Sequence, residues 1–216
     1  MYNSDSITHG DGGRAAVLSG NGLTGRAAID FEAVTDDPTD GMLPRGAYAA
    51  KILMVTDRED EQRVECLFDV AEGEQAGFFA EYGPKQDYMR TLRISYTRPA
   101  LKFAKRTLSA IGQSNPGFDA FAAWKSDLHA FEGKLFGLIV SYRFQKDMYG
   151  GTRAWPNYDA VPIPVLRSGD FTIPGDVRED GTHGEPTPGV AIPESEHVSA
   201  SPAHEVDDLW SNNDAR

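Results

Sequence analysis

The chain has 216 residues with 33 acidic and 21 basic side chains, a net charge of −12. No run approaches the roughly 18 consecutive apolar residues of a membrane-spanning helix, and the opening MYNSDSITHGDGG lacks a basic-then-apolar secretory pattern, so a cytoplasmic protein is expected. The lone cysteine, Cys66, excludes an intrachain disulfide or a cysteine-rich metal cluster and reads as a small buried hydrophobe.

Taken as a sum, the charge argues against a polyanionic partner. Its distribution reverses that argument. Residues 1–40 carry 2 basic and 7 acidic side chains and residues 172–216 carry 2 and 10, whereas residues 41–171 carry 17 and 16. Almost all the excess negative charge lies in the flanks, around a core that is close to neutral.

In chain order, residues 1–41 read as a flexible N-terminal segment. A G-x-G-x-x-G spacing at Gly20, Gly22 and Gly25 lacks the helix a dinucleotide site requires, because Pro38 arrives before any helical pattern. Residues 42–171 form the expected folded domain. Tyr48, Ala50, Ile52 and Met54 alternate with less apolar neighbours, as do Val64, Cys66, Phe68 and Val70, and then Leu92, Ile94 and Tyr96; period two means three strands. After Pro99, Leu101, Ala104, Leu108 and Ile111 share a helical face, with Lys102, Lys105 and Arg106 off it and Gly112 as the stop. Phe118, Phe121, Lys125 and Leu128 suggest a second, shorter helix. LFGLIVSYRF (135–144) reads as a long buried strand, and Tyr149-Gly150-Gly151 turns it into a last strand over about 153–166, whose prolines suit a sheet edge. Residues 172–216, rich in Pro, Gly, Ser and acid and without periodicity, read as a disordered acidic tail.

The expected fold is therefore mainly β with one or two helices. Three strands, a helix and a hairpin of two strands is the order of the OB-fold, a five-stranded Greek-key barrel.

Residues 85–106 hold Lys85, Arg90, Arg93, Arg98, Lys102, Lys105 and Arg106 against one acid, Asp87, with Tyr82, Tyr88, Tyr96 and Phe103 interleaved. Cations along a backbone and flat rings for bases are what single-stranded nucleic acid requires. The same residues also suit a solvated helix face beside core tyrosines. A second cluster falls on the expected last hairpin, with Arg143, Lys146, Tyr149, Arg153 and Trp155, because the loop joining strands four and five is a usual OB contact surface, although Trp155 taken alone reads better as a core residue. The candidate DNA-binding set is Lys85, Arg90, Arg93, Tyr96, Lys102, Arg143, Tyr149, Arg153 and Trp155. The acidic loop Asp57-Arg58-Glu59-Asp60-Glu61 is expected to stay off the DNA backbone.

Signals for catalysis are weaker. Glu132-Gly133-Lys134, with Asp119 and Asp127 before it, loosely imitates the acid-x-lysine element of metal-dependent nucleases, but the central glycine favours a turn. The five histidines have no ligand spacing, so neither metal nor cofactor is implied. Near the end, Glu205-Val206-Asp207-Asp208-Leu209-Trp210 places acids before large hydrophobes. Asp207, Asp208, Leu209 and Trp210 form a candidate docking motif for a protein with a basic surface and an apolar pocket.

FDVAEGEQAGFFAEY (68–82), SNPGF (114–118), FEGKLFGLIVSYRF (131–144) and VPIPVLRSGDF (161–171) together resemble a family of phage and prophage proteins from replication and recombination modules, regarded as single-stranded DNA-binding proteins. The resemblance covers residues 42–171. It implies an OB-type protein that coats single-stranded DNA without strong sequence preference and works beside a recombinase, helicase or polymerase. With the basic-aromatic interleaving and the strand order, the leading expectation is a non-catalytic single-stranded DNA-binding protein that recruits such a partner through its tail; a homo-oligomer is compatible with it. The tail is similar in kind to that of bacterial single-stranded DNA-binding proteins, but six residues follow Trp210 and no proline precedes it. The alternatives are a protein-interaction or scaffold module with an OB-like barrel and, third, a metal-dependent nuclease.

Overall fold

The computed structural model describes residues 37–80 and 84–194, the side chains of 84–86 excepted. It is mainly β, with strands β1 (Gly46–Arg58), β2 (Arg63–Val70), β3 (Thr91–Ser95), β4 (Leu135–Lys146) and β5 (Thr152–Val161). Helices α1 (Leu101–Ser114) and α2 (Ala120–Ser126) lie between β3 and β4, and α3 (Ile163–Ser168) follows β5. The five strands form one antiparallel sheet in the order β3-β2-β1-β4-β5.

That order is the one an OB barrel gives when opened between its third and fifth strands. The ladder is open there, and β3 and β5 are its edges. Side chains span the gap: the Tyr158 hydroxyl on β5 donates to the Met89 carbonyl just before β3, and α1 packs against β3, β4 and β5.

Alternation decides which face is buried. Val64, Cys66, Phe68 and Val70 on β2, Leu92 and Ile94 on β3, and Phe136, Leu138, Val140 and Tyr142 on β4 all point into the core, together with Ala104, Leu108 and Ile111 of α1. Phe68 sits at the centre, meeting Phe79, Phe136 and Tyr158 edge-to-face at 5.7, 5.9 and 5.1 Å. On β1 the expected alternation breaks. A bulge between Ile52 and Met54 shifts the register, so Val55 takes the inward position and Leu53 and Met54 are both exposed.

The last expected strand ends earlier than its pattern suggests. Pro162 stops β5 at Val161, and α3 begins at once with Pro164 in its first turn, where a missing N–H costs nothing, and closes on Gly169 in the left-handed region. Gly137 on β4 makes room for α3: a Cβ there would lie 2.7 Å from the Val161 carbonyl oxygen and 2.8 Å from the Leu166 side chain.

The chain from Thr172 also departs from its expected disorder. Residues 172–188 form a hairpin arm, with β6 (Thr172–Ile173) paired to β7 (Thr187–Pro188). Arg45 holds it, donating to the carbonyls of Ile173 (3.2 Å) and Pro174 (2.9 Å) and to Thr187 Oγ1 (3.0 Å). Val177 donates to the Tyr142 carbonyl and accepts from the Phe144 amide, both at 2.8 Å, so the arm lies along β4. An arm bonded at this many points is part of the domain; residues 195–216, and residues 1–36 at the other end, lie outside the described residues.

Candidate nucleic-acid interface

The β4–β5 hairpin brings together four of the residues singled out in the sequence. Arg143 stands directly opposite Trp155, and Gln145 opposite Arg153. Because Tyr142 and Ala154 point into the core, the residues beside them, Arg143, Arg153 and Trp155, must point out. Trp155 is 41 % exposed, and the Arg153 guanidinium lies 6.0 Å from the centre of its ring.

At the tip, the Asp147 carboxylate accepts from the amides of Tyr149 (2.8 Å) and Gly151 (2.9 Å), and Gly150 takes a positive φ of 84°. This tight turn thrusts Met148 and Tyr149 outward, at 87 % and 89 % exposure. Met148 was not among the sequence candidates; the signal for it is an apolar residue inside a turn that offers nothing to pack against. Lys146 is less free than its neighbours, with Glu179 of the arm 3.7 Å away.

The other candidates go elsewhere. Arg93 projects from β3 beside β2, where Glu65 gathers Arg63 (2.8 Å), Arg58 (3.3 Å) and Arg93 (3.5 Å), and Glu61 also meets Arg63 at 2.5 Å. Partial burial pushes the Glu65 carboxyl up, but the Arg58 hydrogen bond and the Arg63 and Arg93 guanidinium groups outweigh it and leave the pKa below the ordinary value. Two carboxylates, Glu61 and Glu65, thus answer three arginines on this face.

Arg90 is turned inward. Only 13 % of its side chain is exposed, Asp87 pairs with it at 2.8 Å, and it donates to the Phe79 carbonyl at 3.1 Å, so it braces the approach to β3. Tyr96 packs edge-to-face on Trp124 at 6.1 Å and donates to Asp57 at 3.3 Å. Desolvation first, then the Asp57 charge and hydrogen bond and the charges of Glu59 and Asp60, raise its pKa. A phosphate would meet the same acids there. Lys102 lies on α1, 4.8 Å from the Phe103 ring centre. The Lys85 side chain and the tail motif Asp207, Asp208, Leu209 and Trp210 lie outside the described residues, as does Gly20 to Gly25.

The nuclease-like residues each have a local task. Asp119 caps α2 through the amides of Phe121 and Ala122, Asp127 accepts from the His129 amide, and Gly133 makes its turn at φ 78°. Glu132 accepts from Val55 at 3.2 Å and pairs with His129 at 3.0 Å, while Lys134 lies over the Phe118 ring at 4.7 Å. Among the described residues no group of three His, Cys, Asp or Glu is placed to hold a metal ion, and no helix is long and apolar enough to cross a membrane.

What these elements define is a mainly β domain of OB-type strand order with an outward cation–aromatic hairpin. No family model, curated protein or solved structure matches the chain.

Proposed function

We propose that this chain is a non-catalytic single-stranded DNA-binding protein of the phage replication and recombination type, acting in the cytoplasm. The observation that carries the proposal is the hairpin face, where Arg143, Arg153 and Trp155 line up outward behind an exposed Tyr149. Stacking on such rings is tolerant of sequence because every base has a π-face, and the arginines add phosphate contact and cation–π attraction. The family resemblance in residues 42–171 supports the same reading, and the acidic segment beyond residue 195 suits recruitment of a basic partner protein.

The test is a titration of the full chain with labelled oligo-dT, oligo-rU and duplex DNA. Binding to oligo-dT in preference to duplex is expected. The two hairpin arginines alone give a slope of log K against log salt of about −1.4, a loss of about 7-fold between roughly 50 and 200 mM salt. No binding to oligo-dT, or binding indifferent to salt, refutes the proposal. The second reading, a protein-interaction module, draws on the bare Met148–Tyr149 tip. A partner retained after nuclease treatment, with no oligo-dT binding, decides for it.

A further inference from the structure

A cleft of about 540 Å³ opens between α1, the end of β5 and β6. One wall is cationic for a reason visible in the helix: Ala104, Leu108 and Ile111 are spent on the core, which leaves Lys102, Arg106, Ser109 and Gln113 in a row on another face, with Lys105 beside them. The floor is apolar, with Ile139, Val161 and Pro174. A single carboxylate in the lining, Asp159, answers three cations, and it stands 3.9 Å from Arg106. Among the described residues neither Lys102 nor Lys105 has a carboxylate within ion-pair distance. The half-exposed Phe103 ring lies between Lys102 (4.8 Å) and Arg106 (5.5 Å), so an aromatic surface accompanies the charge.

The cleft is connected to the hairpin by β5 itself. Side chains two residues apart share a strand face, so Arg153 and Trp155 at one end and Asp159 and Val161 at the other lie on the same side. From Trp155 to Asp159 is about 13 Å at the usual strand rise. No strand covers the outer edge of β5 among the described residues.

We propose that a single strand stacked on the hairpin continues down the outward face of β5 and lays its phosphates into the α1 cleft, against Lys102, Lys105 and Arg106. This rests on the single-stranded DNA reading above and names its second contact region. The path it defines follows β5 and α1, away from the β2–β3 face where the arginines are already bound to Glu61 and Glu65.

The experiment is the salt dependence of oligo-dT binding by the full chain, by Lys102→Ala/Lys105→Ala/Arg106→Ala, and by the charge-retaining Lys102→Arg/Lys105→Arg/Arg106→Lys. Hairpin and cleft together give five phosphate contacts and a slope of about −3.5, or about 130-fold between roughly 50 and 200 mM salt. The alanine variant should fall to about −1.4 and 7-fold, with its thermal midpoint kept, and the charge-retaining variant should match the wild type. A wild type that binds oligo-dT with the alanine variant's slope equal to its own overturns the cleft while leaving the function standing. Absence of wild-type binding overturns both. An effect of the alanine variant that disappears once residues 195–216 are deleted assigns the cleft to the acidic tail and overturns the DNA path.

Discussion

Replacing Tyr149 by alanine should separate DNA binding from folding, because the ring is 89 % exposed and its turn is held by Asp147 through backbone amides alone. Little apolar surface is lost, and surface substitutions of this kind stay within about 0.5 kcal/mol. For a domain of this size that is a shift of under about 2 °C in Tm. Losing one stacked base costs about 1–3 kcal/mol, which is about 5- to 150-fold in Kd. Fluorescence anisotropy with labelled oligo-dT reads the first effect and thermal melting the second. Tyr149→Phe keeps the ring and should bind within about twofold of the wild type, since stacking uses the π-face and not the hydroxyl. If Tyr149→Ala binds as tightly as the wild type, the hairpin tip is not a stacking platform.

Two truncations should behave oppositely. Residues 195–216 carry five acids and one base, so deleting them should tighten oligo-dT binding at about 50 mM salt, with the difference closing at high salt as screening grows, and without a change in Tm; unchanged affinity at low salt refutes this. Deleting from residue 172 also removes the arm that Arg45, Tyr142 and Phe144 hold. Even two net hydrogen bonds at about 1 kcal/mol each lower Tm by about 4–8 °C, and a Tm equal to that of the shorter truncation counts against a structural arm. Cys66 provides a probe of the core: burial pushes its thiol up to about 12. Since the thiolate is the reactive form, a thiol reagent at about pH 8 should label the native protein only on unfolding. Prompt stoichiometric labelling without denaturant would contradict the packing around β2.

Much of the sheet was legible because its signals are local. Val64, Cys66, Phe68 and Val70 alternate without interruption, and β2 follows; Leu101 to Ile111 repeat at helical spacing, and α1 follows. The bulge at Leu53 was hidden because one inserted residue changes the faces of its neighbours while leaving the composition strand-like. Pro162 and Pro164 read as edge-strand prolines although they open a helix, since the same residue type serves both places. The arm was missed for a different reason. Its acceptors meet Arg45 across 128 to 142 residues of chain, and no window of local composition contains both partners. Within the candidate site, Arg143, Tyr149, Arg153 and Trp155 fall together because a hairpin keeps near neighbours close, whereas Arg90 and Tyr96 turn on Phe79 and Asp57, which the fold brings to them.

The net charge of −12 says less about DNA than where the acids stand. On an OB-type sheet the face of strands two and three and the loops after strands one and four are the usual contact surfaces. Here the first loop carries Asp57, Glu59, Asp60 and Glu61 against Arg58, and Glu65 absorbs three arginines on the adjoining face. A polyanion approaching from that side meets the loop acids first, and the arginines behind them share Glu65 and Glu61. The loop after β4 presents Met148 and Tyr149 with two arginines behind them, and α1 presents two lysines with no carboxylate at ion-pair distance among the described residues. Electrostatics therefore favour the β5 side without any change in the domain's sum. Among the described residues, a strand bound at the hairpin as proposed would have the cationic face of α1 to continue onto and the acidic first loop to avoid.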